Sequence, residues 1–190
     1  ARVVFGREAL RQRVEAVIQE TLTRPRNPDV LLRDVDDMRR RLDAEHHSDF
    51  IWEVKYMRGG LVDIDFIAQY LQLRHAHDCP RVLSPNTRVA LRALRDNGRL
   101  AAPVADDLVA ALDLWQAVQS VLRLAIEGYF KADREAEVTE SLERILAAAG
   151  EAPDVTALKE RMRATADTVH RHFQDLIETP ANDLPAKDDE

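Results

Sequence analysis

The chain has 190 residues, 45% of them hydrophobic, enough for one compact domain with its own core and too few for two domains of ordinary size. Charged residues make up 32% and aromatics 5%, with only six Gly and eight Pro, a balance that argues against an all-β fold and for charged helices. The net charge of −7 argues against holding a phosphate backbone, so nucleic acid is not an expected partner. Much of that charge sits near the C-terminus, in Asp175, Glu178, Asp183, Asp188, Asp189 and Glu190, which leaves the body almost neutral. The single cysteine, Cys79, cannot form an internal disulfide, and no apolar run approaches the roughly 18 residues of a membrane span. A reducing, cytoplasmic setting without a membrane partner fits both. The opening Ala1-Arg2-Val3-Val4 lacks the features of a signal peptide and reads as a piece of something longer.

Apolar spacing then predicts helices in chain order. Leu10, Val14, Val17 and Ile18 recur at helical spacing from Arg7 to Leu22, and Pro25 and Pro28 end the run. A second helix, from Asp29 to about His46, has Leu31, Val35, Met38 and Leu42 as its apolar seam. Phe50 to Tyr56 carries β-type residues with weak alternation and reads as an extended linker or short strand before Gly59-Gly60. Leu61, Ile64, Ile67, Ala68 and Leu71 predict a third helix ending near Asp78-Cys79-Pro80. A short fourth helix follows a cap in Ser84–Thr87 and stops at Asn97-Gly98, and a long fifth begins near Pro103 with Leu108, Leu112, Trp115, Val118 and Leu122 inward. Two more are expected over 134–149 and 154–178, the last with Leu158, Met162, Val169, Phe173 and Leu176 inward. The expected architecture is an all-α bundle of about six or seven helices over residues 1–178, with an acidic, disordered tail over 179–190.

Chemistry points first to Lys55-Tyr56-Met57-Arg58-Gly59-Gly60-Leu61-Val62-Asp63-Ile64-Asp65-Phe66, with Gln69 one turn later. A Gly pair ahead of a helix can present backbone amides and the positive helix end to an anion such as a nucleotide phosphate, with Lys55 and Arg58 adding charge. The same pair can equally be a plain turn. Asp65 lies beside the Leu61/Ala68 stripe, so partial burial and a cationic partner are expected, Arg39 or Arg40 on the second helix being the candidates. Asp63 lies on another side, either as a solvated acid favouring the helix N-terminus or in a functional role. His75-x-His77 and His170-x-His172 have two-residue spacing, which sends the rings about 200° apart on a helix, and His46-His47 reads as a solvated helix end, so no metal site is expected. Cys79, beside Asp78, reads as inert.

Taken together, Lys55-x-x-x-Gly59-Gly60-Leu61-x-Asp63-Ile64-Asp65-Phe66-x-x-Gln69-Tyr70-Leu71, preceded by Asp34-Val35-x-x-Met38-Arg39, resembles the helical domain that follows a nucleotidyltransferase domain in the glutamine synthetase adenylyltransferase/deadenylylase family. Ala1 to Gly6 and Asn86-Thr87-Arg88 agree with it, and the resemblance covers roughly residues 1–130. The family commonly has Glu where this chain has Asp65. The resemblance implies the adenylylating half of a longer protein that transfers AMP from ATP, with Mg²⁺, to a tyrosine of glutamine synthetase. It also implies an adjacent nucleotidyltransferase domain and the nitrogen-signalling PII protein as partners.

On this reading Lys55, Arg58, Gly59, Gly60, Asp63, Asp65 and Gln69 face the cleft or substrate, and Arg39 supplies a supporting ion pair. No acid-bearing strand of the two-metal type is visible, so no catalytic residue, metal or cofactor is expected in this chain alone. The alternative is a non-catalytic helical module that binds a partner protein and shows no nucleotide dependence.

Overall fold

The computed structural model describes residues 3–126 and 138–185. Among them there is no strand. Seven helices follow one another: α1 Glu8–Leu22, α2 Pro28–His46, α3 Leu61–His75, α4 Thr87–Asp96, α5 Ala102–Ala125, α6 Glu140–Ala149 and α7 Val155–Phe173. A π-helical turn, Gln174–Glu178, and a four-residue helix, α8 Thr179–Asn182, continue directly from α7.

Local chemistry sets the ends. Asn27 accepts hydrogen bonds from the Asp29 and Val30 amides and Pro28 occupies the first turn, where its missing N–H leaves nothing unpaired. Asn86 caps α4, Thr139 caps α6 and Asp154 caps α7, each accepting the amide three residues on. Gly98, at φ +67°, turns the chain out of α4 at the expected stop, with the Arg99 amide donating back to the Leu94 carbonyl.

The bundle closes round α5, which packs against α3, α4, α6 and α7. Its inward face is Ala105, Leu108, Ala111, Leu112, Leu114, Trp115, Val118 and Leu122, all buried. By length and composition α5 could also cross a membrane, but these buried residues make it the core helix of the bundle.

Four expectations change. The inward residues of α2 are Leu32, Asp36 and Arg39, one step round the helix from the apolar seam, while Met38 is half exposed. The face turns because Arg39 has buried partners waiting for it, as described below. Phe50–Tyr56 is neither strand nor extended linker but a series of turns, with Glu53 donating to the Phe50 carbonyl and Met57 to that of Glu53. At the far end, Ile177 is fully buried and Leu176 only partly, because the wider π turn keeps Ile177 on the Phe173 side. The segment expected to be disordered from Thr179 is helical to Asn182, where the Asn182 side chain accepts from Arg40 at 2.8 Å. Residues 134–137 of the expected sixth helix and 186–190 of the tail lie outside the described residues.

Candidate functional site

The turns before α3 fold back over its first residues. The Gly60 amide donates to Met57, that of Leu61 to Val54 and that of Val62 to Lys55, so the entrance of α3 is already satisfied by backbone carbonyls. Trp52, Val54 and Met57 are buried beneath this wrap. Gly59 takes φ +77°, and a Cβ there would stand 2.0 Å from the Ala166 carbonyl oxygen of α7. At Gly60 a Cβ would meet the Val54 carbonyl oxygen at 2.5 Å.

The centre of the arrangement is Asp63, which is fully buried. One carboxylate oxygen accepts Arg39 Nε at 2.5 Å and the other accepts the Gly59 amide at 2.5 Å. Arg39, 1% exposed, also donates to the Tyr56 carbonyl at 3.2 Å and to Asp43 at 3.3 Å. The Gly59 carbonyl in turn accepts the indole N–H of Trp115 at 3.1 Å, which ties the turn to the core helix. A buried ion pair needs this completeness, since an unpaired charge there would cost several kcal/mol.

Arg58 extends the network outward. It pairs with Glu178 at the end of the π turn, lies 5.2 Å from the Phe173 ring centre and approaches Asp63 at 3.9 Å. Burial pushes its pKa down, with Asp63 opposing. His170 stands in the same field, its pKa lowered by burial and then by Arg58, and its Nδ1 has no hydrogen-bond partner.

The expected pairing of Asp65 with Arg39 or Arg40 is therefore corrected: Asp63 takes Arg39, and Arg40 pairs with Asp36 at 2.8 Å. Asp65 is half-buried, accepts the Thr87 hydroxyl at 2.7 Å and has its pKa raised by burial. The anion-binding expectation for Gly59-Gly60 also changes. The Gly59 amide belongs to Asp63 and the Gly60, Leu61 and Val62 amides belong to carbonyls, so the close approach these glycines permit is to α7 and to their own loop.

Lys55 lies at the rim, half-buried, donating to the Tyr56 hydroxyl at 2.7 Å, while the Tyr56 ring stacks on His46 at 4.5 Å. Gln69 is exposed and lines a cavity of about 340 Å³ with Leu22, Gln72, Ser84 and Thr87. The structure thus brings Arg39, Arg58, Gly59 and Asp63 into one network and leaves Lys55, Asp65 and Gln69 outside it. Glu178, Trp115 and Thr87 were not singled out as site residues. The signals for them are slight: a buried indole N–H needs an acceptor, and Thr87 stands in the Asn86-Thr87-Arg88 stretch that shares in the family resemblance.

The fold is thus a helical bundle with a buried arginine–aspartate pair at the entrance of α3. The chain belongs to the GlnD PII-uridylyltransferase family, whose match covers residues 31–177. Among its relatives, a bifunctional glutamine synthetase adenylyltransferase/adenylyl-removing enzyme of Rhodopseudomonas palustris strain TIE-1 is 41% identical over 93% of this chain. Proteins of the same name from Bradyrhizobium sp. strain BTAi1 and Xanthobacter autotrophicus strain Py2 are 42% and 34% identical over 94% and 95%. In each case the chain spans 18% of the relative's length. The similarity continues well past residue 130, where the sequence resemblance thins to helical pattern.

Proposed function

We propose that this chain is the helical domain of the adenylylating half of a glutamine synthetase adenylyltransferase. The longer protein would transfer AMP from ATP to a tyrosine of glutamine synthetase in the bacterial cytoplasm, with PII as a signalling partner. The observation that carries this is the identity of about 40% over nearly the whole chain with proteins of that name.

This domain's part is positioning. The Arg39–Asp63–Gly59 network fixes the entrance of α3, and Lys55 at its rim faces the cleft of an adjacent nucleotidyltransferase domain, where its charge helps to compensate phosphate. The donors present here do not fit a magnesium site. Asp63 is spoken for by Arg39 and the Gly59 amide and Asp65 by Thr87, and no group of three or more His, Cys, Asp or Glu that could hold a metal stands together among the described residues. Metal and nucleotide binding belong, on this reading, to the nucleotidyltransferase domain.

The test is a choice of substrates offered to the full-length protein with Mg²⁺: labelled ATP with glutamine synthetase, and labelled UTP with PII. Label on a tyrosine of glutamine synthetase supports the reading. Uridylylation of PII without adenylylation of glutamine synthetase overturns it.

A further inference from the structure

We infer that Glu178, at the end of the π turn, is a positioning residue for the reaction: it holds Arg58, and through Arg58 it holds the turn that carries Lys55. The inference deepens the proposed function and rests on it for the role of Lys55. Charge balance within the network calls for Glu178. Two guanidinium groups, those of Arg39 and Arg58, stand round the fully buried carboxylate of Asp63. Arg39 and the Gly59 amide take its two oxygens, so Arg58 approaches at 3.9 Å without a hydrogen bond. Among the described residues Arg58 hydrogen-bonds to Glu178 alone, and the two side chains are 22% and 21% exposed. In a site so poorly screened, loss of Glu178 would leave two cations competing for one carboxylate.

The backbone of the last helix is shaped to deliver this carboxylate. Ala166, His170 and Phe173 follow one stripe of α7. Ala166 meets Gly59, His170 lies in the field of Arg58, and the Phe173 ring centre is 5.2 Å from the Arg58 guanidinium. In a regular helix the residue five beyond Phe173 would lie about 140° round from it. Here the Thr179 amide donates to the Gln174 carbonyl, and this wider turn swings Glu178 back toward the stripe on which Arg58 lies.

Glu178 is itself held on both sides. Ile177 before it is fully buried, and beyond it Arg40 donates to the Asn182 side chain and Arg33 to the Pro185 carbonyl, which fastens the segment to α2. The carboxylate is therefore a fixed post. At the other end of the pair, Arg58 follows Lys55 by three residues, and the Val62 amide donates to the Lys55 carbonyl within the same wrap. A displacement of Arg58 is thus passed along a short, hydrogen-bonded stretch of chain to Lys55.

Glu178→Gln in the full-length protein removes the charge and keeps the shape. Amide exchange at Gly60, Leu61 and Val62 should quicken at least about fivefold while the interior of α5 stays protected. AMP transfer to glutamine synthetase per folded molecule, at saturating substrates, should fall about tenfold, as displacement of a positioned group does. In a protein that already carries Lys55→Ala the same change should lower transfer little further, because residues that act through one another are not additive. Unchanged exchange at the three amides overturns the inference, and so does a fall in transfer that multiplies with that of Lys55→Ala, the pattern of a separate effect on stability. Uridylylation of PII in place of adenylylation would sink the proposed function and leave the exchange result to decide whether Glu178 holds the turn. Unchanged exchange in a protein that adenylylates glutamine synthetase would sink this inference alone.

Discussion

Arg39 Nε donates to Asp63 Oδ1 at 2.5 Å between two side chains that are at most 1% exposed, joining α2 to the first turn of α3. Removing one partner leaves the other charge buried and unpaired. Asp63→Ala should therefore cost about 3–5 kcal/mol. Asp65→Ala, which loses a single bond from Thr87 at a half-buried site, should stay within about 1 kcal/mol. Urea unfolding of both variants checks the contrast, and equal losses would mean that Asp63 does not carry the pair.

How far the sequence anticipates this arrangement depends on the range of the interaction. Pro25, Pro28 and Asn97-Gly98 act within a few residues, and the helix ends they predict are those observed. Arg39 and Asp63 lie 24 residues apart, and nothing in the periodicity of α2 announces that a charged residue will turn inward. The apolar seam through Leu31 and Met38 is regular, yet Leu32, Asp36 and Arg39 are the ones buried. Helical spacing sets Asp65, beside Leu61 and Ala68, ahead of Asp63 as the partner of Arg39, whereas the fold buries Asp63. The fold-back of residues 50–60, which brings the Gly59 amide onto Asp63, is held by backbone hydrogen bonds and buried contacts that no helical periodicity announces.

The two left-handed glycines that end turns should respond differently to a methyl group. Gly98 has open space round a Cβ, so Gly98→Ala should cost about the 1–2 kcal/mol of the backbone conformation itself. Gly59→Ala adds a collision with the backbone of α7 that no side-chain movement relieves. Its melting temperature should fall well below that of Gly98→Ala. Similar values would show that the turn can shift.

Two titrating groups should give opposite slopes of stability against pH. Asp65 has a raised folded-state pKa, so its ionised form is disfavoured by folding, and stability is lost as pH rises through that value. Asp65→Asn, which keeps an oxygen for Thr87, should be more stable than the parent at pH 7, with the gain vanishing below about pH 4. His170 has a lowered pKa, so the folded protein resists protonation and loses stability as pH falls below about 6.5. His170→Gln should flatten that loss. Chemical unfolding at pH 4, 5.5 and 7 separates the two.

The division of labour between a buried scaffold and a working rim is tested most directly by AMP transfer to glutamine synthetase, measured per folded molecule in the full-length protein carrying Lys55→Ala. Lys55 is half-buried, donates to the neighbouring Tyr56 hydroxyl and stands in the field of Glu53, so its removal should cost under about 0.5 kcal/mol and leave the melting temperature nearly unchanged. The account predicts a clear fall in transfer at that unchanged stability. Transfer at the wild-type rate would contradict it, and would leave the turn from Lys55 to Gly60 with a structural role alone.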